Sequence, residues 1–465
     1  MKEKNIENNL MEKIVSLCKR RGFVFQGSEI YGGFAGTYDY GHYGVMLKKN
    51  IEEAWRRAID EHRQMAFIES SIFTAPRVWE ASGHVSGFSD PLVICNSCGE
   101  KSRADHLLES IGVKADEKMP EKEINNLFDA NRKKLKCPKC GKYDFGSVRA
   151  KSLLATSNLG IFDMEGDDQN TYLRGETAQG TYINYKNILE TGSFFIPFGI
   201  AQIGTVFRNE ISPRQFLFRQ REFEQMEMQY FVYPNEAMNE YEKWKKERME
   251  YYIKLGIPKS KLRFKDHENL VFYAKAACDI EYEFPFGWNE IEGIHYRGDY
   301  DLTQHQKFSG VDMNYFDEET KEKFIPHVVE VASGLGRVFL MVLCEAYNED
   351  SLKESKRVVL NLPIKLAPII CSVSPLLKNK PELAEYAETK VYMPLKAEFG
   401  RVAWDDNGNI GKRYRRQDEI GTPFCIVIDF DTLTDDAVTV RDRDTGEQER
   451  IKVSDLVQFL KEKIN

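Results

Sequence analysis

The densest chemistry in this 465-residue chain lies between Gly199 and Tyr233, in GIAQIGTVFRNEISPRQFLFRQREFEQMEMQYFVY. An apolar run (Ile200, Ile203, Val206, Phe207) breaks at Ser212-Pro213, and an alternating run follows from Phe223 to Phe231. Two such runs around a short Ser-Pro loop predict an antiparallel hairpin. Side chains alternate faces along a strand, so Arg208 and Glu210 share a face of the first run. Phe223, Gln225 and Glu227 share a face of the second. If those faces lie on the same side, a ring, a carboxylate and a guanidinium converge, with Arg214, Arg219 and Arg221 on the loop above. That set suits a nucleotide: Phe223 faces a base, Glu210 accepts from an exocyclic amine, and Arg208 holds a phosphate oxygen as a bidentate fork. The alternative is a solvated hairpin whose charges pair across the strands.

Two further constellations stand apart from the hairpin. Cys95-Asn96-Ser97-Cys98 and Cys137-Pro138-Lys139-Cys140 are a pair of CxxC turns, each followed by glycine (Gly99, Gly141). Four thiolates from two such turns complete a tetrahedral shell, and a closed shell of that kind makes a structural zinc site. The 38 residues between Cys98 and Cys137 exceed the usual ribbon spacing, and the charged 105–136 segment reads as helical. A redox pair or idle thiols are the alternatives. Near the C-terminus, Lys412, Arg413, Arg415 and Arg416 surround Tyr414. Cations for phosphates with a ring for an unstacked base suit single-stranded RNA; a solvated charged loop is the bland alternative.

These residues must be held by larger elements. An amphipathic helix is expected over residues 1–22, with Leu10, Ile14, Val15, Leu17 and Cys18 on one side. A glycine-dense turn (27–36) follows, then a helix from about Val45 to Glu61 with Leu47, Ile51, Ala54, Trp55 and Ala58 inward. Residues 150–185 return to a sheet-like core, and 236–255 reads as an exposed helix with a solvated charged face. Val328–Arg337 is an apolar strand and glycine turn opening a helix that runs to Tyr347, which puts Arg337 at a helix start, an unfavourable place for a cation. Beyond Asn361, Leu362-Pro363 and Ala367-Pro368 punctuate a linker to a small α/β domain. Hydrophobic residues make up 42% of the chain, enough for two or three cores. A net charge of −8 excludes a generally basic nucleic-acid binder but not a local basic surface. The N-terminus lacks the apolar core of a signal peptide, and no run approaches the roughly 18 apolar residues of a membrane span, so a cytoplasmic protein is expected.

Phe207-Arg208-Asn209-Glu210, a basic loop, and Arg221-Glu222-Phe223-Glu224-Gln225-Met226-Glu227 together resemble motif 2 of the class II aminoacyl-tRNA synthetases, in the wording of their glycyl branch. The glycine turn with its long helix resembles motif 1, the dimer-forming element, with His42 where the family has proline. Val328–Arg337 resembles motif 3, and 418–444 resembles the class IIa anticodon-binding domain. Signatures of the class I synthetases are absent. The resemblance covers nearly the whole chain and implies an α+β fold: an antiparallel-sheet catalytic domain with a zinc-binding insertion and a C-terminal α/β anticodon-binding domain. The expected division is 1–90 and 151–360 for the catalytic domain, 91–150 for the insertion and 361–465 for the anticodon-binding domain.

The resemblance also implies roles. Arg208 and Arg337 would be catalytic, and ATP would meet Arg208, Asn209, Glu210, Phe218, Arg219, Phe223, Glu290, Ile291, Gly334 and Arg337, with a magnesium ion at Glu290. Glycine would meet Arg103, Glu176, Phe223, Gln225, Glu227, Arg297, Glu330 and Ala332; tRNA(Gly) would meet Lys412, Arg413, Tyr414, Arg415 and Arg416; zinc would sit on Cys95, Cys98, Cys137 and Cys140. A homodimer is implied. Glycine has no side chain to grip, so selection must come from tethering its ammonium and excluding anything larger. The family has Glu-Pro-Ser where this chain has Glu330-Val331-Ala332, so weaker exclusion of alanine is expected unless a water, or Ser333 one strand position away and thus on the opposite face, replaces the hydroxyl. Leu173-Arg174-Gly175-Glu176-Thr177-Ala178-Gln179-Gly180, which carries Glu176, resembles the family's Leu-Arg-Pro-Glu-Thr-Ala-Gln-Gly, with glycine for proline at Gly175. The runners-up are a threonyl, prolyl or histidyl enzyme of the same class, and a catalytically silent tRNA-binding paralogue.

Overall fold

The computed structural model describes residues 2–115, 119–158, 170–267, 275–352 and 355–464. The chain opens with α1 (Lys2–Arg21) and α2 (His42–Asp60). Helix α2 starts a turn earlier than its apolar periodicity alone indicates. Gly44 is why: it lets the first turn lie flush on Phe23, where a Cβ would stand 1.8 Å from the carbonyl oxygen. The stripe Leu47, Ile51, Trp55 and Ile59 is fully buried, with Ala54 and Ala58 packed beside it.

Seven strands build the central sheet: β1 (Met65–Phe67), β2 (Phe198–Phe207), β3 (Glu222–Val232), β4 (Leu262–Asp266), β5 (Ala276–Phe284), β6 (Gly287–Gly298) and β7 (His327–Gly334). Their order is β4-β5-β6-β7-β3-β2-β1, and every pairing is antiparallel except β1 with β2. The expected hairpin is β2–β3, with Val206 opposite Phe223. Arg208 and Glu210 lie past the end of β2, so the loop rather than strand alternation positions them. Arg221 does this by donating to the Glu210 carbonyl at 3.1 Å and 3.2 Å, while the Arg208 amide donates to the Arg221 carbonyl.

Four helices sandwich this sheet: α3 (Ala178–Gly192), α4 (Ala237–Lys254), α5 (Tyr300–Ser309) and α6 (Leu335–Ala346). Met226, Met228, Tyr230, Ile280, Ile294, Val329 and Val331 share one core with α1, α2, α4 and α6. Near one end of the opposite face, Ile200, Phe231 and Val328 pack with Tyr182 and Tyr185 of α3 and Leu302 of α5. Helix α4 is not the solvated element its composition suggests. Tyr241, Trp244, Arg248, Tyr251 and Tyr252 are buried, because aromatics recur at helical spacing among the charges and Arg248 meets a buried partner, Glu292, at 2.6 Å.

The two CxxC turns belong to a three-stranded sheet (Ser89–Ile94, Lys101–Arg103, Arg149–Ser152) with helices Ala104–Glu109 and Glu121–Asn131. Val93, Leu108, Ile124, Phe128 and Phe145 give it a core of its own. The C-terminal region has β8 (Cys371–Pro375), β9 (Val402–Trp404), β10 (Phe424–Ile428), β11 (Ala437–Asp442) and β12 (Gln448–Lys452) in the order β9-β8-β10-β11-β12. The first three strands in that order are parallel and the rest antiparallel, around a separate apolar core. Among the described residues no helix is long and apolar enough to cross a membrane.

Candidate active site

Strand alternation aims a column of polar side chains away from the main core. In β3 the column is Phe223, Gln225, Glu227 and Gln229; in β7, Glu330, Ala332 and Gly334; in β6, Gly293 and His295. Register brings them side by side: Gln225 faces Gly334, Glu227 faces Ala332, Gln229 faces Glu330, Gly293 faces Ala332 and His295 faces Glu330. On the other side of β3, Gln202 faces Glu227 and Gly204 faces Gln225. The small residues keep the middle of this face low. A Cβ on Gly204 would meet the Arg174 guanidinium at 2.3 Å, and one on Gly293 would meet the His295 ring at 2.7 Å.

Three carboxylates converge here. Glu330 accepts from Arg297 at 3.0 Å, from Gln229 at 2.9 Å, and bonds His295 Nδ1 at 2.9 Å. Glu176, in the turn before α3, meets His84 at 3.2 Å and accepts from Gln179 at 3.0 Å. Burial alone would raise both carboxyls, but His84 and Arg297 hold Glu176 well below its usual value, and Arg297 and His295 do the same for Glu330. Glu227 goes the other way. Burial, then Glu330, then Glu176 push it up to about 8, and the Thr177 hydroxyl donates to it. Two acids are thus held ionised while the third keeps a proton. Arg297 is buried within this group, fixed by Asp301 at 2.9 Å and 3.1 Å as well as by Glu330. Gln225 Oε1 and Gln202 Nε2 are buried without a protein partner, two polar atoms left for an occupant.

Beside the acids the surface changes to rings and guanidinium groups. Arg208 lies 5.4 Å over the Phe223 ring and 5.3 Å over Phe88, and donates to the Gly175 carbonyl at 3.0 Å. Arg337, on the first turn of α6, lies 4.5 Å over Phe218 and 3.0 Å from Glu290. Glu290 and Ile291 precede Gly293 on β6, and Ile291 is fully buried. Glu210 faces Arg219 at 3.6 Å in the loop above, and the Asn209 amide ties that loop to Leu153. The unfavourable helix-start position of Arg337 is thereby balanced by a carboxylate and a ring. Phe223, Arg208 and Arg337 border one surface, with the acids next to it.

Some of the expected contacts take a different form. Arg103 is buried, with its guanidinium between Asp90 at 2.9 Å and Asp105 and close enough to Arg214 to act on it electrostatically. Ser333 points to the far face, where its hydroxyl donates to the Ile291 carbonyl at 2.9 Å and lies 3.2 Å from the Tyr252 hydroxyl. It does not stand in for a hydroxyl at Ala332. His84, Arg174, Thr177, Gln179, Gln202, Gln229 and His295 escaped the sequence reasoning. Alternation from Glu227 reaches Gln229, and Thr177 and Gln179 stand in the same short motif as Glu176, but His84 comes from a distant segment with no local signal.

In the C-terminal region the basic cluster is a helix, α7 (Ile410–Ile420), not a loop; Asn409 caps it by accepting from the Lys412 amide at 3.0 Å. Lys412, Arg415 and Arg416 open with Arg21 onto a cavity of about 480 Å³. Arg413 does not: it is buried and donates to the carbonyls of Pro375, Asp406 and Gly408. Tyr414 is half-buried 4.7 Å beneath Arg441. The four cysteines do meet. Cys95 Sγ lies 3.7 Å from Cys140 Sγ and Cys98 Sγ 3.6 Å from Cys137 Sγ, all four within 4.8 Å of one another. Each turn is closed by its glycine in the left-handed region, Gly99 at φ 73° and Gly141 at φ 72°.

Residues 162–347 match the tRNA synthetase class II core domain (G, H, P, S and T), and residues 371–463 match the anticodon binding domain. The chain is 47% identical to the glycine–tRNA ligase of Lachnospira eligens, across 97% of this chain and 98% of that protein. It is 46% identical to that of Clostridium acetobutylicum (98% and 99% covered) and 47% identical to that of Borreliella burgdorferi (98% and 97% covered). With a class II core sheet, a C-terminal anticodon-binding domain and this similarity along nearly its full length, the chain belongs to the glycine–tRNA ligase family.

Proposed function

We propose that the chain activates glycine with ATP to glycyl-adenylate and transfers the glycyl group to the 3′ end of tRNA(Gly). The observation that carries this reading is the meeting of Glu176, Glu227 and Glu330 around Ala332 and Gly293, beside the Arg208–Phe223 and Arg337–Phe218 stacks. ATP lies with its base between Phe223 and Arg337 and its phosphates towards Arg208; Glu210, Asn209, Phe218, Arg219, Ile291 and Gly334 border the nucleotide. Glycine's ammonium sits among the acids, with Gln225 Oε1 accepting one of its protons, and its carboxylate faces the α-phosphate. That carboxylate attacks the phosphorus in line, the bond to the bridging oxygen breaks, and pyrophosphate leaves. The negative charge that develops is met by two preorganised guanidinium groups, and the step needs no general base from the protein. A terminal ribose hydroxyl of tRNA then attacks the glycyl carbonyl and AMP leaves.

A magnesium ion is assigned to Glu290, where it would offset phosphate charge, and a structural zinc ion to Cys95, Cys98, Cys137 and Cys140, whose four sulfurs suit a closed tetrahedral shell. Lys412, Arg415 and Arg416 are the cations offered to tRNA, with Arg413 and Tyr414 supporting the helix that carries them. The active unit is a homodimer in the cytoplasm, joined through the glycine turn and α2.

The test is amino-acid-dependent exchange of pyrophosphate into ATP without tRNA, run with glycine, alanine, serine, threonine, proline and histidine. Exchange driven chiefly by glycine is expected. A stronger response to threonine, proline or histidine would assign another amino acid. No exchange with any of them, under conditions where the protein binds tRNA, would favour a non-catalytic tRNA-binding role.

A further inference from the structure

Outside the residues assigned to ATP and glycine, at the β4 side of the sheet, three more ligand-type side chains share the same face. Asp279 on β5 is directly opposite Gly293, and His295, two residues on, lays its ring across the space that a side chain at Gly293 would fill. His267 follows β4, its amide donating to the Ala277 carbonyl at 3.0 Å, and Ala277 is in turn opposite His295. The result is a triangle. His267 Nε2 is 2.8 Å from an Asp279 oxygen, the two imidazole rings meet edge to face at 5.9 Å, and one ligand atom from each of the three residues lies within 4.8 Å of the others.

The structure assigns to His267, Asp279 and His295 a site for a divalent first-row transition ion such as Zn²⁺, distinct from the four-cysteine cluster. Two imidazoles and one carboxylate are a ligand set that such ions accept, with further positions left for water. Metal–ligand bonds of about 2.1 Å put neighbouring tetrahedral ligands about 3.4 Å apart, inside the range the three residues already span. Two features argue for a site rather than a simple His–Asp pair. His295 has its Nδ1 on Glu330 at 2.9 Å, which leaves Nε2 for an ion; a ligating histidine usually holds a carboxylate in this way through its second nitrogen. Glu290 is also close enough to act electrostatically on both Asp279 and His295, so the surroundings are acidic. An ion there fixes the tautomer of His295 with the Nδ1 proton directed at Glu330. If Glu330 tethers the glycine ammonium, as proposed above, the ion orients one of the tethers.

The probe is Co²⁺, titrated into the full-length chain with visible absorption as the readout. Cobalt on the four cysteines shows strong thiolate-to-metal charge transfer; cobalt on His267, Asp279 and His295 shows visible bands without it. The expected result is a saturable equivalent of this second type, displaced by Zn²⁺ and weakened at least about tenfold in His267→Ala and in Asp279→Asn. A second measurement needs no variant: Zn²⁺ should protect both His267 and His295 of the unaltered chain from diethyl pyrocarbonate. The assignment is overturned if no thiolate-free equivalent binds, if both folded variants bind it unchanged, or if Zn²⁺ leaves the two histidines equally reactive. None of these outcomes depends on which amino acid the chain activates.

Discussion

Glu227 is the residue whose chemistry is easiest to interrogate. Its folded value near 8 lies above the ordinary 4.5, so between those values the folded chain keeps a proton that the unfolded chain has lost. Stability therefore falls as the pH rises from about 4.5 towards 8 and levels off above it. Glu227→Gln should flatten that part of the profile, measured by denaturant melts at stepped pH. An arriving ammonium favours the ionised acid, so glycine binding at pH 7 should release close to one proton. Calorimetry in buffers of different ionisation enthalpy would read it, and the release should vanish in the glutamine variant. A pH-independent glycine affinity between 6 and 8 would contradict this. Glu176, Glu227 and Glu330 were legible in the sequence through their motifs, and the alternation of β3 places Phe223, Gln225 and Glu227 on one face as read. What the sequence could not disclose was their charge state. That depends on His84, Arg297, His295 and Thr177, brought from other segments only by folding.

At the scale of elements, one alternation decides both specificity and stability in β7. Glu330 and Ala332 point to the pocket, while Ser333 is held on the far face by Ile291 and Tyr252. Ser333 therefore supplies no hydroxyl over Ala332, and alanine should be activated measurably against glycine. Ala332→Ser should raise the preference for glycine by about tenfold, within the 1–3 kcal/mol that one small group commands in such pockets. An unchanged ratio of kcat/KM values for the two amino acids would show that exclusion is set elsewhere. On the far face, Arg248 of α4 grips Glu292 at 2.6 Å and 3.0 Å with both side chains buried. Arg248→Met strands that carboxylate and should cost about 3–5 kcal/mol in a denaturant melt, whereas pairing it with Glu292→Leu should recover most of the loss. Composition concealed this. Charged letters dominate α4, and only the partner on a strand about forty residues later shows which one is internal.

Across the whole molecule, the proposed chemistry and the proposed tRNA capture fall in separate regions of the chain. Glu227 and Glu330 stand on the seven-stranded sheet, with Glu176, Arg208 and Arg337 on the turns and helix beside it, and Lys412, Arg415 and Arg416 on α7 of the C-terminal region. Replacing those three cations with alanine should raise the KM for tRNA several-fold while leaving tRNA-independent pyrophosphate exchange unchanged; equal losses in both assays would contradict the separation. The order of these units was readable from motif order and the Pro-punctuated linker, but not the burial of Arg413, which depends on carbonyls of Pro375, Asp406 and Gly408. The most direct trial of the account is a crystal structure with a non-hydrolysable glycyl-adenylate analogue. It should show the adenine between Phe223 and Arg337 and the ammonium within hydrogen-bonding distance of at least two of Glu176, Glu227 and Glu330. An analogue bound with its ammonium turned away from all three acids, or with its base off Phe223, would contradict it.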